Sequence, residues 1–200
     1  MADAGADPAV RDAGALTIPN ALSVLRLIGI PVFLLLLFLW RNDAWALVVL
    51  MLAGFTDWLD GKLARLLDQQ SALGALLDPL ADRLYMLAIP IALGVRGILP
   101  WWLIALLIGR EVVLAGTIPL LRSRGLTALP VLYLGKAATF ALMYGMPMVL
   151  AGTFDNWVGT VMHPLGWAFL LWGTGMYLWT MVLYWYQTIL AVRILPRAGR

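Results

Sequence analysis

Four aspartates stand inside segments apolar enough to cross a membrane: Asp57 and Asp60 in FTDWLDGKLAR, then Asp78 and Asp82 in GALLDPLADR. A carboxylate at mid-bilayer costs roughly 2.5–3.5 kcal/mol, so four uncompensated ones come to about 10–14 kcal/mol. Cations must offset that cost. Helical spacing puts Asp57, Asp60, Gly61 and Ala64 on one face of one helix, and Gly74, Asp78 and Asp82 on one face of the next. Where those faces meet, the carboxylates repel one another and are driven toward protonation unless metal ions lie between them. An all-oxygen donor set selects hard ions, Mg²⁺ or Mn²⁺ over Zn²⁺. Four carboxylates suffice for two ions about 3.5–4 Å apart, the arrangement that clamps a phosphoryl group between attacking and leaving oxygens. The spacing predicts a metal-dependent intramembrane enzyme.

The elements that hold these residues follow from bulk composition. The chain has 200 residues, of which 62% are hydrophobic and 12% charged, and a mean hydropathy of +0.88, which marks an integral membrane protein. There is no cysteine, so disulfides, thiolate metal sites and cysteine nucleophiles are excluded. The single histidine, His163, removes histidine-rich metal sites and Ser-His-Asp hydrolysis. His163 itself reads as a polar residue at a loop-to-helix junction before Pro164. Runs of about 20 apolar residues, cut at Arg41-Asn42-Asp43, at 67–71, at Arg96-Gly97, at 122–130 and at 153–163, predict six transmembrane helices. They fall near 21–40, 44–66, 74–95, 100–121, 131–152 and 164–192. The fold class is therefore all-α and polytopic. Tryptophans at 40, 45, 101, 102, 157 and 167 lie near the predicted ends, as interfacial anchors do.

Basic residues set the expected orientation. With a cytoplasmic N-terminus, the inner ends collect Arg11, Lys62, Arg65, Arg122, Arg124, Lys136, Arg193, Arg197 and Arg200, against Arg41 and Arg96 outside. Both termini are expected in the cytoplasm, with the protein in the plasma membrane and its active site on the cytoplasmic side. Residues 1–17 carry three aspartates and one arginine, lack the basic start of a signal peptide and read as a disordered tail. Residues 18–200 read as one domain, with no internal repeat or linker. No nucleic-acid partner is expected.

Gly61, Ala64 and Gly74 leave space where the second and third helices pass. Small residues there serve ordinary helix packing when taken alone. With Arg65 beside them and metal ligands one turn away, a nucleotide diphosphate becomes the better tenant, with Arg65 neutralising its phosphate charge.

The string D57-x2-D60-G61-x2-A64-R65-x8-G74-x3-D78-x3-D82 resembles the signature of the CDP-alcohol phosphotransferases, with every specified position present and every gap of the right length. The stretch Pro19-Asn20-Ala21-Leu22-Ser23-x2-Arg26 is similar to the opening of the first helix in phosphatidylglycerophosphate and cardiolipin synthases. The resemblance implies six helices, a homodimer, and transfer of a phosphatidyl group from CDP-diacylglycerol to an alcohol with release of CMP. It implies that Asp57, Asp60, Asp78 and Asp82 bind two Mg²⁺ or Mn²⁺ ions and that Asp82 is also the general base. Gly61, Ala64, Arg65 and Gly74 then hold the CDP moiety, together with Asn20 and Thr56.

A phosphorylated acceptor needs cations, and Arg110, Arg122, Lys136 and Arg193 are the candidates in or beside the later helices. Arg110-Glu111 resembles a pair in phosphatidylglycerophosphate synthases, yet it reads equally as a structural ion pair, and Arg122 and Arg193 read equally as topology signals. DPLADRLY and YLGKAATF look like the cardiolipin-synthase branch. The expected acceptor is glycerol-type, either phosphatidylglycerol or glycerol 3-phosphate, with an inositol-phosphate enzyme of the same family as the alternative. A UbiA-like prenyltransferase also uses intramembrane aspartates, but it needs a longer Asn/Asp motif and more helices. A metal or proton transporter leaves Gly61, Ala64, Arg65 and Gly74 unexplained.

Overall fold

A computed structural model describes residues 18–67, 72–124 and 132–194; for the helical residues 18–20, 57, 58, 60–67 and 72–79 it describes the backbone alone. The expected tail at 1–17 lies outside the described residues. Every regular element among the described residues is helical. The helices are α1 (Ile18–Leu34), α2 (Asp43–Leu67), α3 (Ala72–Val95), α4 (Trp101–Arg122), α5 (Tyr133–Ala151) and α6 (Trp157–Ile194). The chain divides into two compact units, Met1–Ile89 and Pro90–Arg200, with the boundary inside α3.

In the first unit α1 widens into a π-helical turn over Leu35–Leu39, with the Trp40 amide donating to the Leu35 carbonyl at 3.1 Å. Arg41 then takes a left-handed φ of 49° and ends the helix. Asn42 starts α2: its side-chain oxygen accepts from the Trp45 amide at 3.2 Å, and Asp43 adds negative charge to the first turn. The resulting α1–α2 pair buries Phe33, Leu37, Ala46 and Leu50. A Cβ on Gly29 of α1 would lie 3.8 Å from the Val49 side chain of α2, an ordinary packing contact.

The second unit is built on α5 and α6, with α4 also packed on α6. Small residues let the backbones approach. A Cβ on Gly166 would sit 2.6 Å from the Val149 nitrogen, and one on Gly152 would sit 2.7 Å from the His163 Cα. Gly145 against Leu170 and Gly173 against Ala141 continue the same seam at 3.0 and 3.1 Å.

Three stretches, Ala21–Leu39, Trp101–Arg122 and Tyr133–Ala151, are long and apolar enough to cross a membrane by length and composition. In α2 the residues whose side chains are described form an apolar stretch over Asp43–Thr56. Many large apolar side chains are exposed, Leu39, Trp40, Trp101 and Trp172 among them, as on helices that face lipid. The six helices match the expected positions to within a few residues except the last. It starts at Trp157 rather than near 164, because Asn156 caps it by accepting from the Gly159 amide at 3.1 Å. Pro164 is accommodated inside α6, so His163 is helical rather than at a junction, and Trp167 stands well inside the helix instead of at its end.

Candidate active site

The motif helices are continuous. Asp57, Asp60, Gly61, Ala64 and Arg65 all fall in α2, and Gly74, Asp78 and Asp82 in α3, so the helical register assumed from spacing is realised by the backbone. Asn20 lies in the first turn of α1. The side chains of Asn20, Asp57, Asp60, Ala64, Arg65 and Asp78, and the surroundings of Gly61 and Gly74, lie outside the described residues. Among the described residues no group of three or more His, Cys, Asp or Glu stands together. The donor set itself fits hard divalent ions: the motif supplies four carboxylates and neither thiolate nor imidazole.

Of the expected metal and nucleotide residues, two have described side chains. Thr56 is half-buried and donates its hydroxyl to the Ala53 carbonyl at 2.9 Å, one turn before the first aspartate. Its oxygen keeps acceptor capacity for a ligand. Asp82 is exposed over 59% of its side chain, and its Oδ1 accepts from Nη1 of Arg26 on α1 at 2.8 Å. Arg26 itself is 3% exposed. Arg26 ends the first-helix pattern Pro19-Asn20-Ala21-Leu22-Ser23-x2-Arg26, which by itself assigns it no role. Its signal was there: a charge deep in an apolar span needs a partner. Tyr85, one turn after Asp82, donates its hydroxyl to the Leu50 carbonyl at 3.4 Å and ties α3 to α2.

Beside these residues a cleft of ≈ 190 Å³ opens between α1 and α2, lined by Leu25, Ile28, Val32 and Leu52 and by the polar Arg26 and Thr56. Its lining is mostly apolar, suited to hydrocarbon. A larger polar hollow of ≈ 490 Å³ in the second unit lies at the α5–α6 connection, around Asp155, Asn156, Thr160 and His163.

The acceptor candidates lie in the second unit. Arg110, near the middle of α4, donates from Nη1 to Glu111 Oε1 at 2.6 Å and from Nη2 to Thr180 Oγ1 at 3.5 Å. Its guanidinium carbon also lies 4.0 Å from the centre of the Tyr177 ring. Tyr177 closes the network by donating a short hydrogen bond to the same Glu111 oxygen. Arg110 is thus engaged between α4 and α6, with only its buried Nε lacking a partner. Lys136 is exposed at the start of α5, its Nζ 5.7 Å from the Tyr133 ring centre. Arg122 and Arg193 occupy the exposed last turns of α4 and α6, where cations complement the helix dipole.

Residues 16–172 match the profile of the CDP-alcohol phosphatidyltransferase family, whose members generally use divalent metal ions. The chain is 50% identical over 191 residues to a Mycobacterium tuberculosis protein provisionally named a cardiolipin synthase, covering 96% of this chain and 91% of the other. It is 47% identical to a cardiolipin synthase (CMP-forming) of Streptomyces coelicolor, covering 92% and 86%. To a CDP-diacylglycerol–glycerol-3-phosphate 3-phosphatidyltransferase of Pseudomonas fluorescens it is 39% identical, covering 84% and 88%.

Proposed function

Because the chain belongs to the CDP-alcohol phosphatidyltransferase family, we propose that its acceptor is phosphatidylglycerol and its product cardiolipin. It is a CDP-diacylglycerol-dependent phosphatidyltransferase acting on a glycerol-type alcohol with release of CMP. The observation that carries the choice of acceptor is the 47% identity to a CMP-forming cardiolipin synthase along most of both chains, against 39% to a glycerol-3-phosphate enzyme. Glycerol 3-phosphate is the second reading, favoured by that latter relative.

The chemistry is assigned residue by residue. Asp57, Asp60, Asp78 and Asp82 hold two Mg²⁺ or Mn²⁺ ions, on the strength of their oxygen-only donor set. When bound, the ions neutralise the pyrophosphate and the charge that builds on departing CMP. Gly61, Ala64 and Gly74 keep α2 and α3 slim where the nucleotide lies, and Arg65 meets its phosphates. Asn20 and Thr56 line the same nucleotide site. Asp82 accepts the proton of the attacking hydroxyl as the new O–P bond forms at the phosphatidyl phosphorus and the bond to CMP breaks. Excluding water protects CDP-diacylglycerol from hydrolysis. The enzyme works as a homodimer, with the site open to the cytoplasm and both termini on that side. Arg110, Arg122, Lys136 and Arg193 are the cations assigned to an anionic acceptor.

Purified protein given CDP-diacylglycerol and, separately, phosphatidylglycerol, glycerol 3-phosphate or inositol phosphate tests the reading. Cardiolipin from the first and no lipid product from the others is expected. Phosphatidylglycerophosphate as the sole product would move the enzyme to the second reading, and absence of CMP release with any acceptor would refute both.

A further inference from the structure

We infer that Arg26 is a positioning residue for the transfer reaction: its guanidinium, buried in α1, orients the carboxylate of Asp82 for proton acceptance. The inference rests on the phosphatidyltransferase reading and on Asp82 as base, and assigns a part in the site to a helix that contributes none of the aspartates. Three observations converge on it. Arg26 is 3% exposed in an apolar span, alongside a fully buried Ser23 one turn earlier, so its charge is placed at considerable cost unless a specific partner receives it. One such partner, Asp82, is 56 positions away on another helix, at 2.8 Å, a contact that chain proximity does not supply. Asp82 is 59% exposed, so its Oδ1 is held by Arg26 while the side chain remains largely accessible.

An aspartate side chain has two rotatable bonds, and a base must be held within about 0.5 Å of its productive position. The planar guanidinium fixes direction as well as distance, which a lysine ammonium does not.

The experiment compares wild type with Arg26→Lys, Arg26→Gln and Asp82→Asn, measuring kcat, KM for CDP-diacylglycerol, CDP affinity and melting temperature on folded detergent-purified protein. The expected result is a fall in kcat of about tenfold for Lys and about a hundredfold for Gln, the loss of a charge-assisted hydrogen bond, while KM and CDP affinity stay within about threefold. A structural ion pair predicts otherwise: a lower melting temperature and less folded protein, with wild-type kcat in what survives. That outcome, or a change in KM without a change in kcat, overturns the proposal. Where Gln prevents folding, the Lys variant carries the same comparison. Full turnover in Asp82→Asn would refute the base assignment and Arg26's role with it. Full turnover in Arg26→Gln beside an inactive Asp82→Asn would refute Arg26's role alone.

Discussion

At the scale of single residues, charge is the most informative quantity in this chain, because so little of it is present. Replacing Asp78 with Asn keeps side-chain size but removes one ligand charge, so activity at ordinary Mg²⁺ should nearly vanish while the protein stays folded. Without metal, relief of carboxylate repulsion should leave Asp78→Asn as stable as wild type or more so. Normal turnover in that variant would rule out the metal assignment. Gly61→Leu should abolish binding of cytidine nucleotides with little change in melting temperature; if nucleotide affinity survives and stability falls, Gly61 is a packing residue only. The aspartate pattern was legible because helical periodicity converts spacing directly into a shared face. Arg110 was not: whether it meets a ligand or Glu111, Thr180 and Tyr177 is decided by contacts up to 70 positions away, which no local pattern encodes. The network makes its own prediction. Arg110→Ala should lower the melting temperature by stranding Glu111, and the added change Glu111→Ala should recover part of the loss. A rise of about tenfold in acceptor KM with unchanged stability would instead make Arg110 a phosphate ligand.

At the scale of helices, packing rather than chemistry decides what is tolerated. Gly166→Ala should cost about 1–3 kcal/mol, because its methyl would fall 2.6 Å from the Val149 backbone and force the helices apart. Gly116→Ala in α4 meets nothing within 4 Å and should be neutral or stabilising by up to about 1 kcal/mol. Thermal unfolding of the two variants side by side checks both, and equal behaviour would show that α5 and α6 do not need their close approach. The positions of the six helices were legible, since long apolar runs separated by polar breaks are hard to mistake; three of them are long and apolar enough to cross a membrane over their described residues. Sequence alone misplaced the start of α6 because Pro164 reads as a breaker, whereas the Asn156 cap and the seven residues before the proline leave room for it inside the helix. It also missed the glycine seam, because Gly145, Gly152, Gly166 and Gly173 acquire meaning only once α5 and α6 are set side by side.

At the scale of the whole molecule, metal and lipid link stability to function. Chelation by EDTA should remove activity and lower the melting temperature, and both should return on adding Mg²⁺; a ligand at a hundredfold excess over its Kd adds about 2.7 kcal/mol. An enzyme indifferent to chelator would sink the two-ion reading. The α5–α6 seam carries a different consequence. Every phosphatidyl group a phosphatidyltransferase handles trails two acyl chains, which need an apolar path wherever they pass between helices. A seam too tight for one methyl group is no doorway for such a chain. The lateral traffic of donor and product is thereby denied one route, and in the first unit the α1–α2 cleft, lined by Leu25, Ile28, Val32 and Leu52, offers the kind of threshold that hydrocarbon can cross.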